Sequence, residues 1–279
     1  MTTCSLVLSS VGIAHRVAGG DNGFELYVAP GDRQRALRQL AAYFTENRSW
    51  PPVDPVPAAP VSPGSKPPTL IMMAGLALLY AVTGPWTGAN PWFQRGAVDS
   101  VAITGQGQWW RLFCALTLHG DEVHLLGNLV IGGFLVHLLC RSLGSGSGLL
   151  LTVLAGGLGN LVNIAVRDSP HLSVGFSTSI FGIIGIFTGS RLWAPGGGIS
   201  RLLAPLGAGA GLLAFLGTEG MQTDLGAHFF GFAVGLALGV PVQATGLDRY
   251  AANKKLQRSL WTATMLFLIL AWLRAWNIL

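Results

Sequence analysis

Four side chains have the types that acyl transfer needs. Ser177 is a hydroxyl, a poor nucleophile until a neighbouring base takes its proton. His228 offers an imidazole that titrates near neutrality and can be that base. His124 and Asn128 are four residues apart, so on a helix they share a face. Both can donate hydrogen bonds to a developing oxyanion, and one such donor is worth roughly 3–4 kcal/mol in a water-poor site. All four lie near the starts of long apolar stretches, where polar groups are costly and a functional reading is the default. Taken singly they mean little. A membrane serine commonly bonds back to a helix carbonyl, and an asparagine can be interhelical glue worth about 0.6 kcal/mol. No intramembrane Asp or Glu is available to complete a triad, so the chemistry read here is that of a Ser–His dyad with two oxyanion donors.

The elements that must position these groups are membrane helices. Hydrophobic residues make up 51% of the chain and charged ones 10%, against about 25% charged in soluble domains. Of the 39 glycines, 33 follow residue 68, in the apolar part, where glycine lets helix backbones approach closely. Seven apolar spans are predicted at about 69–87, 119–140, 148–166, 175–194, 202–218, 225–243 and 259–277. With the N-terminus inside, 13 of the 17 Lys and Arg residues fall on the cytoplasmic side, as the positive-inside rule asks. The C-terminus is then extracytoplasmic, and the second, fourth and sixth spans all begin at the outer face. Ser177, His228, His124 and Asn128 therefore lie at similar depths in the outer half of the bilayer. The segment 88–118 is too polar to span and carries Trp92, Trp109 and Trp110, residues suited to the outer interface.

Residues 1–50 read as a small cytosolic ββα-type module, α+β in class. Strands are predicted at Ser5–Ser9 and Phe24–Ala29, with a third near Val11–Val17. A helix capped by Asp32 runs to Asn47, with Ala36, Leu37, Leu40, Ala41 and Phe44 on one face. Residues 51–68 hold eight of the 15 prolines and form a semi-rigid linker. The N-terminus lacks the basic and continuous apolar regions of a signal peptide. Cys4, Cys114 and Cys140 have no metal-ligand spacing, and no disulfide framework is expected. The net charge of +5 follows from bases placed for topology and points to no nucleic acid.

Spacing brings a family into view. Trp110-Arg111, then His119, His124 and Asn128 resemble the loop and second-helix signature of the rhomboid intramembrane serine proteases. Gly175-Phe176-Ser177 resembles their nucleophile motif, and Ala227-His228-Phe229-Phe230-Gly231, followed by Gly235, resembles their base motif. The resemblance covers about residues 69–243. It implies an all-α polytopic fold. Residues 69–245 form the six-helix core, and 246–279 contribute a cytoplasmic loop and a seventh helix. It implies that Trp110 and Arg111 organise a structural outer loop and that Phe181 packs beside His228. His119 reads as structural, Asn160 and Asn163 as structural hydrogen-bonders, and His137 and His171 as bystanders. The sequence departs from the family twice. Thr178 stands where glycine usually follows the nucleophile, and Cys140 stands where an acidic residue is common.

The function this implies is cleavage of transmembrane segments of other proteins near the outer face, without metal or cofactor, by a multi-pass protein of the bacterial inner membrane. Its partners are transmembrane substrates and the bilayer. The rival is a rhomboid-like pseudoprotease that binds membrane clients without cutting them, and Thr178 is the residue that favours it. A transporter fits less well, since no inverted repeat or midplane carboxylates are seen.

Overall fold

A computed structural model describes residues 3–20, 23–48, 67–192 and 224–278, with isolated positions between 203 and 211. The fold divides into two compact units, Met1–Pro60 and Val61–Leu279.

The first unit corrects the sequence expectation at its start. Thr3–Ser10 is a helix, α1, where alternation predicts a strand. The burial explains why. Ser5, Val7 and Leu8 are buried while Leu6 is exposed; the neighbours Val7 and Leu8 share the buried side, which one face of a helix allows and strand alternation does not. Two antiparallel strands follow, β1 (His15–Gly20) and β2 (Gly23–Val28), paired from His15↔Val28 to Gly20↔Gly23. α2 (Arg33–Glu46) begins after Asp32, but the Asp32 side chain makes no capping bond. Its apolar face is also narrower than predicted. Ala36 and Leu40 join Leu8 and Ile13 in the core, whereas Leu37 and Phe44 are more than half exposed.

The second unit opens with α3 (Thr69–Thr83). The loop that follows α3 is built from short pieces: α4 (Pro91–Gly96), β3 (Val98–Asp99), α5 (Ser100–Gln106) and α6 (Arg111–Cys114). Asn90 and Asp99 each accept a backbone N–H at a helix start, and Gly107 ends α5 with φ +69. The second predicted span is one continuous helix, Glu122–Leu143. It comprises α7 (Glu122–Gly127), a π turn (Asn128–Gly132) and α8 (Gly133–Leu143). Then come α9 (Ser145–Val166), β4 (Leu172–Ser173), α10 (Ser177–Leu192), α11 (Leu225–Thr245) and α12 (Lys254–Ala275). β3 and β4 pair antiparallel, joining the loop after α3 to the chain that leads into α10.

Among the described residues, four helices are long and apolar enough to cross a membrane: Glu122–Leu143, α9, α11 and α12. α3 is apolar but has 15 residues, and α10 has 16. The fifth predicted span, 202–218, lies outside the described residues apart from single positions.

α10 and α11 meet with almost no side chain between them. A Cβ on Gly185 would lie 2.2 Å from the Phe232 carbonyl oxygen, one on Gly189 2.1 Å from that of Leu236, and one on Gly235 2.0 Å from that of Gly182. Backbone-to-backbone contact of this kind is the membrane substitute for a hydrophobic driving force between helices. α12 is fastened at both ends by polar bonds. At its start, the Gln257 carboxamide accepts from the backbone N–H groups of Gly146 and Ser147 and donates to the Leu143 carbonyl. Near its end, Trp272 Nε1 donates to Thr117 Oγ1 at 3.1 Å.

Candidate active site

Ser177 is the first residue of α10, and its position is set by the chain just before it. Gly175 has φ +133, a conformation that L side chains rarely adopt, and its N–H donates to the Ala115 carbonyl at 3.0 Å. A side chain there would also collide with His124, whose Cε1 and Nε2 would lie 2.7 Å from the added Cβ. Glycine thus turns the chain and leaves room for the His124 ring beside Ser177. Ser177 Oγ and His228 Nε2 are 2.7 Å apart, both residues buried. His228 lies in the first turn of α11, and the Phe181 ring stacks on it at 4.5 Å and 21°. If the Ser177 hydroxyl donates to Nε2, the proton of the neutral ring sits on Nδ1. That atom has no partner among the described residues.

His124 and Asn128 approach from the second span. The Asp121 carboxylate caps α7 by accepting the His124 N–H at 2.8 Å. Asn128 starts the π turn and is 1% exposed. Its Nδ2 donates to the His124 carbonyl at 2.9 Å, which leaves a second N–H for another acceptor. His119 is fully buried, edge-on to His124 with centroids 5.4 Å apart, and neither of its ring nitrogens has a partner among the described residues.

Trp110 and Arg111 lie in the loop between α3 and α7. The buried Arg111 guanidinium donates to the carbonyls of Ala97 at 2.9 Å and Gln94 at 2.6 Å, and to Gln108 Oε1 at 2.6 Å. One planar cation thereby closes three turns of loop on itself. Trp110 Nε1 donates to the Arg95 carbonyl, and the Arg274 guanidinium lies over the Trp110 ring at 5.3 Å. Gly231 and Gly235 face α10, against the carbonyls of Thr178 and Gly182. The Thr178 methyl lies beside Gly159 and Gly231, in the notch where α9, α10 and α11 meet. Cys140 packs on Gly148 of α9.

One group is missing from the sequence reading. Asp224 stands immediately before α11 and caps it, accepting the Ala227 N–H at 3.1 Å. The same carboxylate accepts from Asn163 Nδ2 at 2.5 Å, bonds His171 Nε2, and pairs with Arg167 at 3.7 Å. Burial by itself would raise the Asp224 pKa. The hydrogen bond and charge of His171, the Ala227 N–H and the Arg167 charge outweigh it and hold the carboxyl below its ordinary value. His171 is accordingly a partner in this cluster and no bystander. A capping signal at Asp224, four residues ahead of His228, is legible in the sequence, but its distant partners are not.

With this geometry in view, the chain is an integral membrane protein of the rhomboid family: residues 106–244 match the Rhomboid domain. Two Bacillus subtilis (strain 168) proteins are similar to it. YdcA, designated provisionally as a rhomboid protease, is 30% identical over 135 residues, 47% of this chain and 66% of YdcA. Rhomboid protease GluP is 32% identical over 107 residues, 38% of this chain and 20% of GluP. The aligned part thus spans just under two thirds of the first relative and a fifth of the second.

Proposed function

We propose that this protein is an intramembrane serine endopeptidase that cleaves transmembrane segments of other membrane proteins near the outer face. The observation that carries the reading is the buried 2.7 Å contact between Ser177 Oγ and His228 Nε2 across α10 and α11. Two relatives that bear the designation rhomboid protease support it. In the proposed reaction Ser177 Oγ attacks the scissile carbonyl while its proton passes to His228 Nε2. His124, Asn128 and the Ser177 N–H receive the oxyanion. Collapse of the tetrahedral intermediate expels the amine, which takes the proton from His228, and leaves an acyl-enzyme. Water, deprotonated by His228, then releases the acid and regenerates the hydroxyl. Phe181 and Gly175 support the His228 ring and the turn before Ser177. Gly231 and Gly235 set the helix distance, while Trp110, Arg111 and His119 support the outer loop.

The reading includes a cytoplasmic N-terminus and an extracytoplasmic C-terminus in a bacterial inner membrane. It also includes a six-helix core at 69–245 with α12 as the seventh helix, and an N-terminal module at 1–50 joined by the linker 51–68. The test is cleavage of a transmembrane reporter, with fluorophosphonate labelling, by the wild type and Ser177→Ala. Loss of both in the variant supports the reading; undiminished cleavage removes Ser177 from the mechanism. The second reading, a pseudoprotease, is favoured by Thr178 beside the nucleophile, and it predicts folded wild-type protein that neither labels nor cuts.

A further inference from the structure

The Asp224 cluster ties together the two pieces of chain that carry the dyad. On one side, Asp224 caps α11, and the His228 N–H donates to the Asp224 carbonyl at 3.1 Å to close the first turn. Any shift of Asp224 is therefore a shift of the base. On the other side, His171 stands six residues before Ser177, and the chain between them is β4 and the Gly175 turn. Two bonds pin His171 to the start of α5: its N–H donates to Ser100 Oγ at 2.9 Å, and its carbonyl accepts the Ser100 N–H at 3.0 Å. The Asp224 carboxylate bonds His171 directly, while Asn163 and Arg167 bring in the end of α9.

We propose that Asp224 and His171 form a clasp that positions His228 against Ser177, with Asp224 the positioning residue for the base and His171 for the chain leading to the nucleophile. The proposal rests on the dyad reading above. The glycine faces of α10 and α11 fix how near the two helices come. Their close contacts are mainly backbone against backbone, which sets spacing more than register, and bonds at the rim restrain how far one slides along the other. A carboxylate suits the place because it is acceptor-only. Four donors converge on it, from Ala227, Asn163, His171 and Arg167. A carboxamide could still cap α11 as well as Asp does, but its NH2 would face donors. That difference separates a clasp from a plain helix cap.

The experiment uses the full chain in detergent and in vesicles. It compares wild type, Ser177→Ala, Asp224→Asn, Asp224→Ala, His171→Ala and the Asp224→Ala/His171→Ala double variant. Readouts are fluorophosphonate labelling rate, kcat and KM on a transmembrane reporter, and thermal melting. The clasp predicts that Asp224→Asn, which keeps the cap but loses the carboxylate's bonds to the other donors, stays folded at the assay temperature and melts below wild type by less than Asp224→Ala, yet loses kcat by about 10²-fold, with KM within about twofold. It also predicts that the double variant is no slower than the slower single, because both break one connection. Full activity in Asp224→Asn would reduce Asp224 to a helix cap and overturn the proposal. So would multiplied losses in the double variant, or a loss confined to KM. If folded wild type labels no better than Ser177→Ala, the dyad reading itself falls and takes the clasp with it. Wild-type labelling that the Asp224 and His171 variants leave unchanged sinks the clasp alone.

Discussion

Gly231→Ala is the most direct probe of the contact between the helices that hold Ser177 and His228. Gly231 lies one turn beyond His228 on α11, and a Cβ added there would sit 2.3 Å from the Thr178 carbonyl oxygen and 3.0 Å from the Thr178 methyl. The first of these atoms is backbone, so no rotamer change relieves it. Reaching ordinary contact at 3.4 Å requires a separation of roughly 1.1 Å, in a region packed too densely to absorb it locally. Transmitted to the adjacent residue, that opening stretches the Ser177–His228 contact from 2.7 Å to about 3.8 Å, beyond hydrogen-bond reach. A displacement of that size costs about 10²-fold in rate, and the overpacking costs about 1–3 kcal/mol of stability. Gly75→Ala on α3 is the control. Nothing lies within 4 Å of its added Cβ, and exchanging a helical glycine for alanine stabilises by about 0.5–1 kcal/mol. Fluorophosphonate labelling of Ser177, read beside thermal melting, decides the matter. A Gly231→Ala protein that melts lower but labels at the wild-type rate would break the link between helix spacing and the dyad. Unchanged melting and labelling would refute the contact.

Three further outcomes are expected. Gln257→Ala strands the N–H groups of Gly146 and Ser147 at the start of α9; at about 1–3 kcal/mol for each stranded group, melting should fall well below wild type. Thr178→Gly should lower stability by about 1 kcal/mol without raising labelling, because the Thr178 methyl fills the notch beside Gly159 and Gly231; a rise in labelling would instead make Thr178 a block on the site. The Asp224 carboxyl is held below its ordinary pKa by its partners, so its contribution is present above the unfolded value of about 3.9 and is lost as pH falls through the folded value. The melting difference between wild type and Asp224→Ala should therefore shrink on acidification below about pH 4, and a difference that stays constant would contradict it.

Much of the membrane unit is legible because run length and polarity act locally. The apolar runs that begin near residues 69, 119, 148, 175, 225 and 259 coincide with helices. Boundaries differ where a local signal competes. The second span starts at Glu122, three residues later than its apolar run, because Asp121 caps α7. The last starts at Lys254, five residues earlier, because Asn253 caps α12 and a basic first turn is tolerated outside the hydrocarbon. The N-terminal module is where pattern misleads. Five residues of alternation at Ser5–Ser9 fit strand and helix alike, and the burial of Leu8 against Ile13 and Ala36 decides for helix. Without those distant partners, period over so short a segment does not choose between the two.

The candidate site divides along the same physical line. Ser177, His228, His124 and Asn128 can be picked out because each is chemically out of place in its own apolar surroundings, a property of a few neighbouring residues. What orders them depends on groups far away along the chain. Gln257 satisfies N–H groups 111 and 110 residues earlier. Trp272 reaches Thr117 across 155 positions. Asp224 gathers donors 53 and 61 residues before it. Each of these side chains caps a helix end or closes a loop that its own segment leaves unsatisfied. In sequence Gln257 and Asp224 read as ordinary polar residues at the edge of a span, and Trp272 as one more aromatic residue inside one. A buried N–H left over in one helix states a need without naming who meets it. A reading confined to apolar stretches therefore finds the candidate reacting groups and passes over residues at their rims, such as Gln257 and Asp224, whose bonds fasten the helix ends.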